Sequence, residues 1–181
     1  LVRTELARFP GVRIIVTHDP VEASTLCDRL VLVEGGRVTQ IGSPEEIRSA
    51  PRSRYAADMV GLNSFRGRLE PLEDGAGLLK TGEGDVVAAW PERSDGGEAI
   101  GLLRPADVTL SLESPAGSAR NVFRGEVTSI AIDSERARVR IATAPPLVAE
   151  VTLSSVRRLG LRDGVIVWAS FKAVEVQVLP L

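Results

Sequence analysis

One pentapeptide occurs twice in this chain. Asn63-Ser64-Phe65-Arg66-Gly67 returns as Asn121-Val122-Phe123-Arg124-Gly125. Each copy is followed by a second matching string: Leu103-Arg104-Pro105-Ala106-Asp107-Val108 is echoed by Phe171-Lys172-Ala173-Val174-Glu175-Val176. Spaced similarity of this kind narrows the possible folds, because a repeated supersecondary unit usually buries its apolar face against its own copy. Two readings fit. Either similar turn chemistry recurs at two strand starts, or two related β modules pack side by side, with residues 62–117 as one and 118–181 as the other.

The surrounding sequence is β-rich. Arg136-Ala137-Arg138-Val139-Arg140-Ile141 alternates strictly, with arginine on one face and apolar residues on the other, the period of a half-buried strand. The arginine stripe reads as a solvated face. Val174 to Val178 alternates as well, and Trp168 on a late strand reads as a core or interface residue. Many short strands between Gly, Pro, Asp and Ser clusters suggest a small barrel or sandwich.

Residues 1–60 have a different character. Leu1 to Arg8 reads as the end of a helix, Val12 to Thr17 as a buried strand, and Pro20 to Cys27 as a short helix. Asp19 suits the N-cap, Pro20 the first helical position, and Glu22 the closing side of a capping box. Leu30 to Val33 reads as a second apolar strand, and Gly35-Gly36 as a tight turn into Val38 to Ile41. Ser43-Pro44-Glu45-Glu46 is a further capping box, and Arg52 to Val60 a last helix before Gly61. His18, the only histidine, stands where an apolar run meets a helix start, a common place for an anion or phosphate.

Composition excludes several classes. The formal net charge is −2, from 22 basic and 24 acidic residues, which argues against a nucleic-acid binder held by bulk electrostatics. A single cysteine, Cys27, permits no internal disulfide and fits a reducing compartment. No apolar run approaches the roughly 20 residues that span a bilayer. No metal-ligand cluster stands out, and no metal site is expected.

The run Thr17-His18-Asp19, then Asp28-Arg29-Leu30-Val31-Leu32-Val33-Glu34-Gly35-Gly36 and Gly42-Ser43-Pro44-Glu45-Glu46, resembles the end of the ATP-binding subunit of an ABC transporter. In that family the strand-end histidine contacts the γ-phosphate, which would make His18 catalytic in an intact protein using ATP and magnesium. The phosphate cradle is missing. Gly77-Leu78-Leu79-Lys80-Thr81-Gly82-Glu83-Gly84 has the glycine spacing, but Glu83 stands where the phosphate lysine must be, so it reads as a turn-rich β segment. No LSGGQ-like signature and no strand ending in Asp-Glu occurs. The expectation is the C-terminal piece of a longer protein, inactive alone.

Ser118-Ala119-Arg120-Asn121, then Thr152-Leu153-Ser154-Ser155 with Leu159-Gly160-Leu161, then Val167-Trp168-Ala169-Ser170-Phe171-Lys172-Ala173, resemble a Mop (molybdate-binding-like) or TOBE domain. The resemblance implies an OB-like five-stranded barrel and an oxyanion site. Ser118, Arg120, Ser155 and Lys172 would supply side-chain donors, and Ala119 and Ala173 backbone N–H groups. Val174 departs from the family, where serine often follows the Lys-Ala pair.

The fold expected is therefore an α/β fragment, the C-terminal part of a P-loop ABC ATPase domain over residues 1–60, followed by an all-β OB-like (TOBE/Mop) region. The function expected is the energising subunit of an ABC importer for molybdate, with molybdate or tungstate as regulatory ligand. Its partners would be a second copy, forming a homodimer, and the membrane permease, with no nucleic acid. It would sit in the cytoplasm at the inner face of the cell membrane. The alternatives are a sulfate, sugar, polyamine or iron importer, and a stand-alone oxyanion-binding protein. A molybdate-responsive regulator would need a basic recognition helix, whereas residues 1–60 hold apolar strands and a hairpin.

Overall fold

The computed structural model describes residues 11–92 and 95–181. They fall into two compact units, Leu1–Gly61 and Leu62–Leu181. The helix end expected at Leu1 to Arg8 lies outside the described residues.

In the first unit the strand expected at Val12 to Thr17 is absent. The segment is extended and belongs to no sheet, with Val12, Ile14 and Val16 between 86 and 95% exposed. A parallel strand needs neighbours reached by crossover connections and covering layers on both faces. Among the described residues this unit contains only an antiparallel hairpin, so the segment has no parallel partner. Helix α1 (Pro20–Leu26) follows, and Asp19 caps it by accepting the Glu22 N–H at 3.2 Å. Glu22 closes the turn through Thr17, whose hydroxyl donates to its carboxylate at 2.7 Å.

Strands β1 (Leu30–Glu34) and β2 (Arg37–Gly42) form the hairpin, turning at Gly35-Gly36 with both φ values positive. Leu30 and Leu32 are buried, while Val31 and Val33 on the other face are each 54% exposed. Helix α2 (Pro44–Ser49) carries the expected capping box: Ser43 Oγ accepts the Glu46 N–H at 3.1 Å, and the Glu46 carboxylate accepts the Ser43 N–H at 2.7 Å. Helix α3 (Arg54–Met59) is capped by Ser53, so it starts two residues later than the apolar pattern suggests. Ile47, Ala56 and Ala57 form the fully buried centre of this unit.

The second unit consists of two curled antiparallel five-stranded sheets, each half a barrel. The first module contributes β3 (Asn63–Pro71), β4 (Ala76–Thr81), β5 (Val86–Ala89), β6 (Gly97–Leu103), a 3-10 turn at Pro105–Asp107 and β7 (Thr109–Ser111). The second contributes β8 (Asn121–Asp133), β9 (Arg136–Ala142), β10 (Leu147–Thr152), helix α4 (Leu153–Leu159), β11 (Ile166–Phe171), a 3-10 turn at Ala173–Glu175 and β12 (Gln177–Pro180). The sheet orders are β12-β6-β3-β4-β5 and β7-β11-β8-β9-β10. Each module therefore gives its last strand to the other's sheet. The registers match: Leu102 pairs with Gln177 as Ser170 pairs with Thr109.

The repeated pentapeptide explains why this arrangement holds. Edge strands expose unpaired backbone groups. Strands β5 and β10 are sheet edges, and each is met by an asparagine from the other module. Asn121 accepts the Val87 N–H and donates to the Val87 carbonyl, both at 2.7 Å. Asn63 does the same to Val148 at 2.7 and 2.9 Å. A carboxamide carries one acceptor and one donor like a peptide group, so each asparagine acts as one residue of extra strand.

Phe65 and Phe123 both stack on Phe171, at ring separations of 6.1 and 5.9 Å. Gly67 and Gly125 permit close strand approach, since a Cβ there would lie 2.1 Å from the Lys80 carbonyl oxygen and 2.5 Å from that of Ala142. The core between the sheets includes Leu79, Val86, Leu103, Val127, Val139, Ile141 and Val167.

Strand β9 shows the expected alternation, with Ala137, Val139 and Ile141 buried and the three arginines exposed. The strand expected over Val174 to Val178 is instead a turn followed by β12. The Glu175 and Val176 N–H groups bond back to the Lys172 and Ala173 carbonyls, which closes a 3-10 turn before the chain can extend.

Candidate functional site

The pairing of β8 with β11 determines which of the expected donors meet. Asn121 stands opposite Phe171, so the residues just before Asn121 and just after Phe171 lie together at one end of this pair. Ser118, Ala119 and Arg120 approach β8 there, and Lys172 and Ala173 leave β11 there. Lys172 is thus past the strand end rather than on the strand, and it opens the 3-10 turn. Ser118, Arg120 and Lys172 are exposed, and Ala119 and Ala173 are half-buried.

Ser155 is not part of this group. Asp133, the last residue of β8, pairs with Arg136, and Arg136 pairs with Thr152 on β10. Thr152 caps α4, accepting the Ser155 N–H at 3.2 Å and sharing a hydrogen bond with the Ser155 hydroxyl at 3.1 Å. The full length of β8 lies between, roughly 40 Å of strand path at about 3.3 Å per residue. Within one chain the expected donor set is split into two half-sites at opposite ends of β8.

Two carboxylates sit among the donors of the first half-site. Asp74, in the β3–β4 turn, accepts from Arg120 Nη1 at 2.6 Å. Glu175 accepts the backbone N–H of Lys172 at 2.8 Å. Asp74 is a role the sequence reading missed, because Glu73-Asp74-Gly75 signals only a turn. The edge-pairing role of Asn63 and Asn121 was also missed, although the repeat pointed at both residues.

The first module's counterpart of this end is chemically different. Leu62 precedes Asn63 where Arg120 precedes Asn121. Arg104, the counterpart of Lys172, donates two hydrogen bonds to Asp107 at 2.7 and 2.9 Å. The Asp107 carboxylate pushes the Arg104 guanidinium still higher above its ordinary value. Pro105 replaces Ala173 and has no N–H to offer.

Other expected features fall outside the cluster. Val174 is 76% exposed on the turn. Trp168 is half-buried between Arg124 and Ser111 on the sheet face opposite the core residues Val167 and Ala169. Glu150 partly neutralises the arginine stripe, with contacts to Arg136 at 2.6 Å and Arg138 at 3.6 Å. His18 is exposed, in the first unit, just before the α1 cap.

Residues 77–84 are not a phosphate cradle. Ala76–Thr81 is β4, and the turn beyond closes on itself, with Thr81 Oγ1 donating to the Gly84 carbonyl at 2.6 Å and accepting the Glu83 N–H at 3.1 Å. Among the described residues no group of three or more His, Cys, Asp or Glu side chains could hold a metal, and no helix is long and apolar enough to cross a membrane.

Comparison with known proteins agrees with this architecture. The TOBE domain family matches residues 117–178. A molybdenum import ATP-binding protein of Mycobacterium tuberculosis is 32% identical over 99% of this chain and 49% of its own length. A molybdate/tungstate import ATP-binding protein of Pyrococcus horikoshii is 34% identical over 95% of this chain and 48% of its own length. The chain thus spans about half the length of these relatives. Among solved structures, the cytoplasmic molybdate-binding protein ModG superposes with a TM-score of 0.59 at 24% identity, covering 66% of this chain and 96% of that one, which shows a shared fold. The chain carries a TOBE domain and is homologous along its whole length to the C-terminal half of molybdenum and molybdate/tungstate import ATP-binding proteins.

Proposed function

We propose that this chain belongs to the energising subunit of an ABC importer for molybdate or tungstate, and that its β half is an oxyanion-sensing regulatory domain. The observation that carries the reading is the whole-chain homology to two importers whose names specify molybdenum or molybdate/tungstate. The position of Arg120 and Lys172 beside the Asn121–Phe171 pair at one end of β8·β11 supports it. In this reading residues 1–60 are the end of a P-loop ATPase domain, 62–117 a first TOBE module and 118–181 a Mop-like module. The subunit would be peripheral to the cytoplasmic face of a membrane, bound to a permease. His18 is a candidate γ-phosphate contact only in a longer subunit that supplies the phosphate loop and magnesium ligands. No hydrolytic step is assigned to the residues present.

The split of the donors bears on stoichiometry. Lys172, Arg120 and Ser118 form one half of a donor shell, and Thr152 with Ser155 forms the other. A homodimer that sets the Lys172 end of one copy against the Ser155 end of the other would complete two sites. A dianion then meets hydroxyls, the Ala119 and Ala173 N–H groups and the Lys172 and Arg120 cations, each charge-assisted bond contributing roughly 1.5–3 kcal/mol.

Isothermal titration of the chain with molybdate, then sulfate, is the test. Lys172→Ala should weaken molybdate binding by about 2 kcal/mol, roughly 30-fold, with Ser155→Ala also weaker. Binding that ignores both substitutions would refute the assigned site. Absence of heat with either anion would leave the domain as a dimerisation scaffold.

A further inference from the structure

We infer that Asp74 is a built-in competitor for the anion site, an internal carboxylate from the first module that holds Arg120 and must yield it when an oxyanion binds. The inference rests on the proposed oxyanion site and adds its regulation. Arg120 is the one arginine of the expected donor set, and its Nη1 donates to Asp74 at 2.6 Å across the two modules, 46 residues apart in sequence. Asp74 is itself held in place: its other oxygen accepts the Ala76 N–H at 3.2 Å, and the turn is closed by Leu72 and Gly75 backbone bonds. The carboxylate is therefore presented to Arg120 by a formed turn.

A carboxylate and a tetrahedral oxyanion ask the same thing of a guanidinium: N–H donors directed at negative oxygen. A dianion approaching Arg120 meets repulsion from Asp74 while it remains in place. The ion pair has side chains 41 and 57% exposed, so it is a weak one, of the class worth at most about 1 kcal/mol. A weak pair suits a competitor. It lowers anion affinity by a factor of about five at most, without abolishing binding. The consequence is a raised threshold: the site fills at a higher anion concentration than its donors alone would set.

Asp74→Asn removes the charge and keeps an oxygen for the Ala76 N–H, so the turn is retained. The test is calorimetric titration of the full chain with sodium molybdate, and separately with sodium sulfate. The variants are the wild type, Asp74→Asn, Arg120→Ala and the double variant. The expected result is a three- to five-fold tighter molybdate Kd in Asp74→Asn, with no such gain from Asp74→Asn in the Arg120→Ala background. A silent wild type with a binding Asp74→Asn variant would exceed a five-fold effect and overturn the weak-pair competitor. An unchanged or weaker Kd in Asp74→Asn, with wild-type binding intact, would overturn the competitor while leaving the anion site standing. A gain that persists without Arg120 would show a general field effect and overturn it too. No heat in any variant with either anion would overturn the anion site, and the competitor with it.

Discussion

Asn121→Ala should destabilise the β unit by about 2–3 kcal/mol, and the size follows from the edge of β5. Asn121 is 2% exposed and is a double partner of Val87, both bonds at 2.7 Å. Truncation removes the donor and the acceptor together and leaves the Val87 N–H and carbonyl without them. A buried backbone group that loses its partner costs roughly 1–3 kcal/mol. Val87 is only half-buried, so water recovers part of the loss, and about 1–1.5 kcal/mol applies to each group. For a unit of this size, 2–3 kcal/mol corresponds to a fall in Tm of roughly 8–12 °C. Both tryptophans, Trp90 and Trp168, lie in this unit, so intrinsic fluorescence in urea and on heating reports its unfolding separately from the first unit. Asn63→Ala should behave alike through Val148, and the two losses should add, since the clamps share no partner. A loss below about 1 kcal/mol for either variant would refute the edge-pairing argument, because so small a cost is that of a single exposed hydrogen bond.

Gly125→Ala should destabilise by more than Asn121→Ala, since the new Cβ meets a backbone carbonyl that cannot rotate away; thermal melts that leave it within about 1 kcal/mol of wild type would contradict the close strand approach. Ser64→Ala should be neutral or stabilising by up to about 1 kcal/mol, because the buried Ser64 hydroxyl has no hydrogen-bond partner among the described residues; a clear loss in urea denaturation would reveal a bond. Limited proteolysis should cut residues 11–19 first and leave a core near 62–181, because the extended segment is largely exposed and belongs to no sheet; mass spectrometry showing early cuts in the β unit would reverse that order. This chain alone should neither bind nor hydrolyse ATP, because residues 77–84 form a strand and a self-closed turn; micromolar binding by calorimetry with magnesium would contradict it.

Much of this molecule was legible in the order of its residues. Local rules produced the Ser43–Glu46 capping box, the Gly35-Gly36 hairpin and the alternating strand β9, because each depends on groups within a few positions of one another. The pentapeptide repeat left two readings open, similar turn chemistry at two strand starts or two related β modules. It could not announce that the modules exchange their last strands, or that Asn63 and Asn121 act as strand residues across to the other module, because those partners lie 85 and 34 residues away in sequence.

The apolar run Val12 to Thr17 shows the opposite limit. Its composition suits a buried strand, but a strand is a relation between chains of backbone, and the described residues supply no neighbouring strand. The candidate site divides in the same way. The resemblance to a Mop domain implied Ser118, Arg120, Ser155 and Lys172 as donors. Only strand pairing set Arg120 and Lys172 at one end of β8 and Ser155 at the other, and the β3–β4 turn of the other sheet brought Asp74 onto Arg120. Side-chain chemistry is written residue by residue, whereas the distance between two donors is set by strand pairing and by which end of a long strand each one reaches.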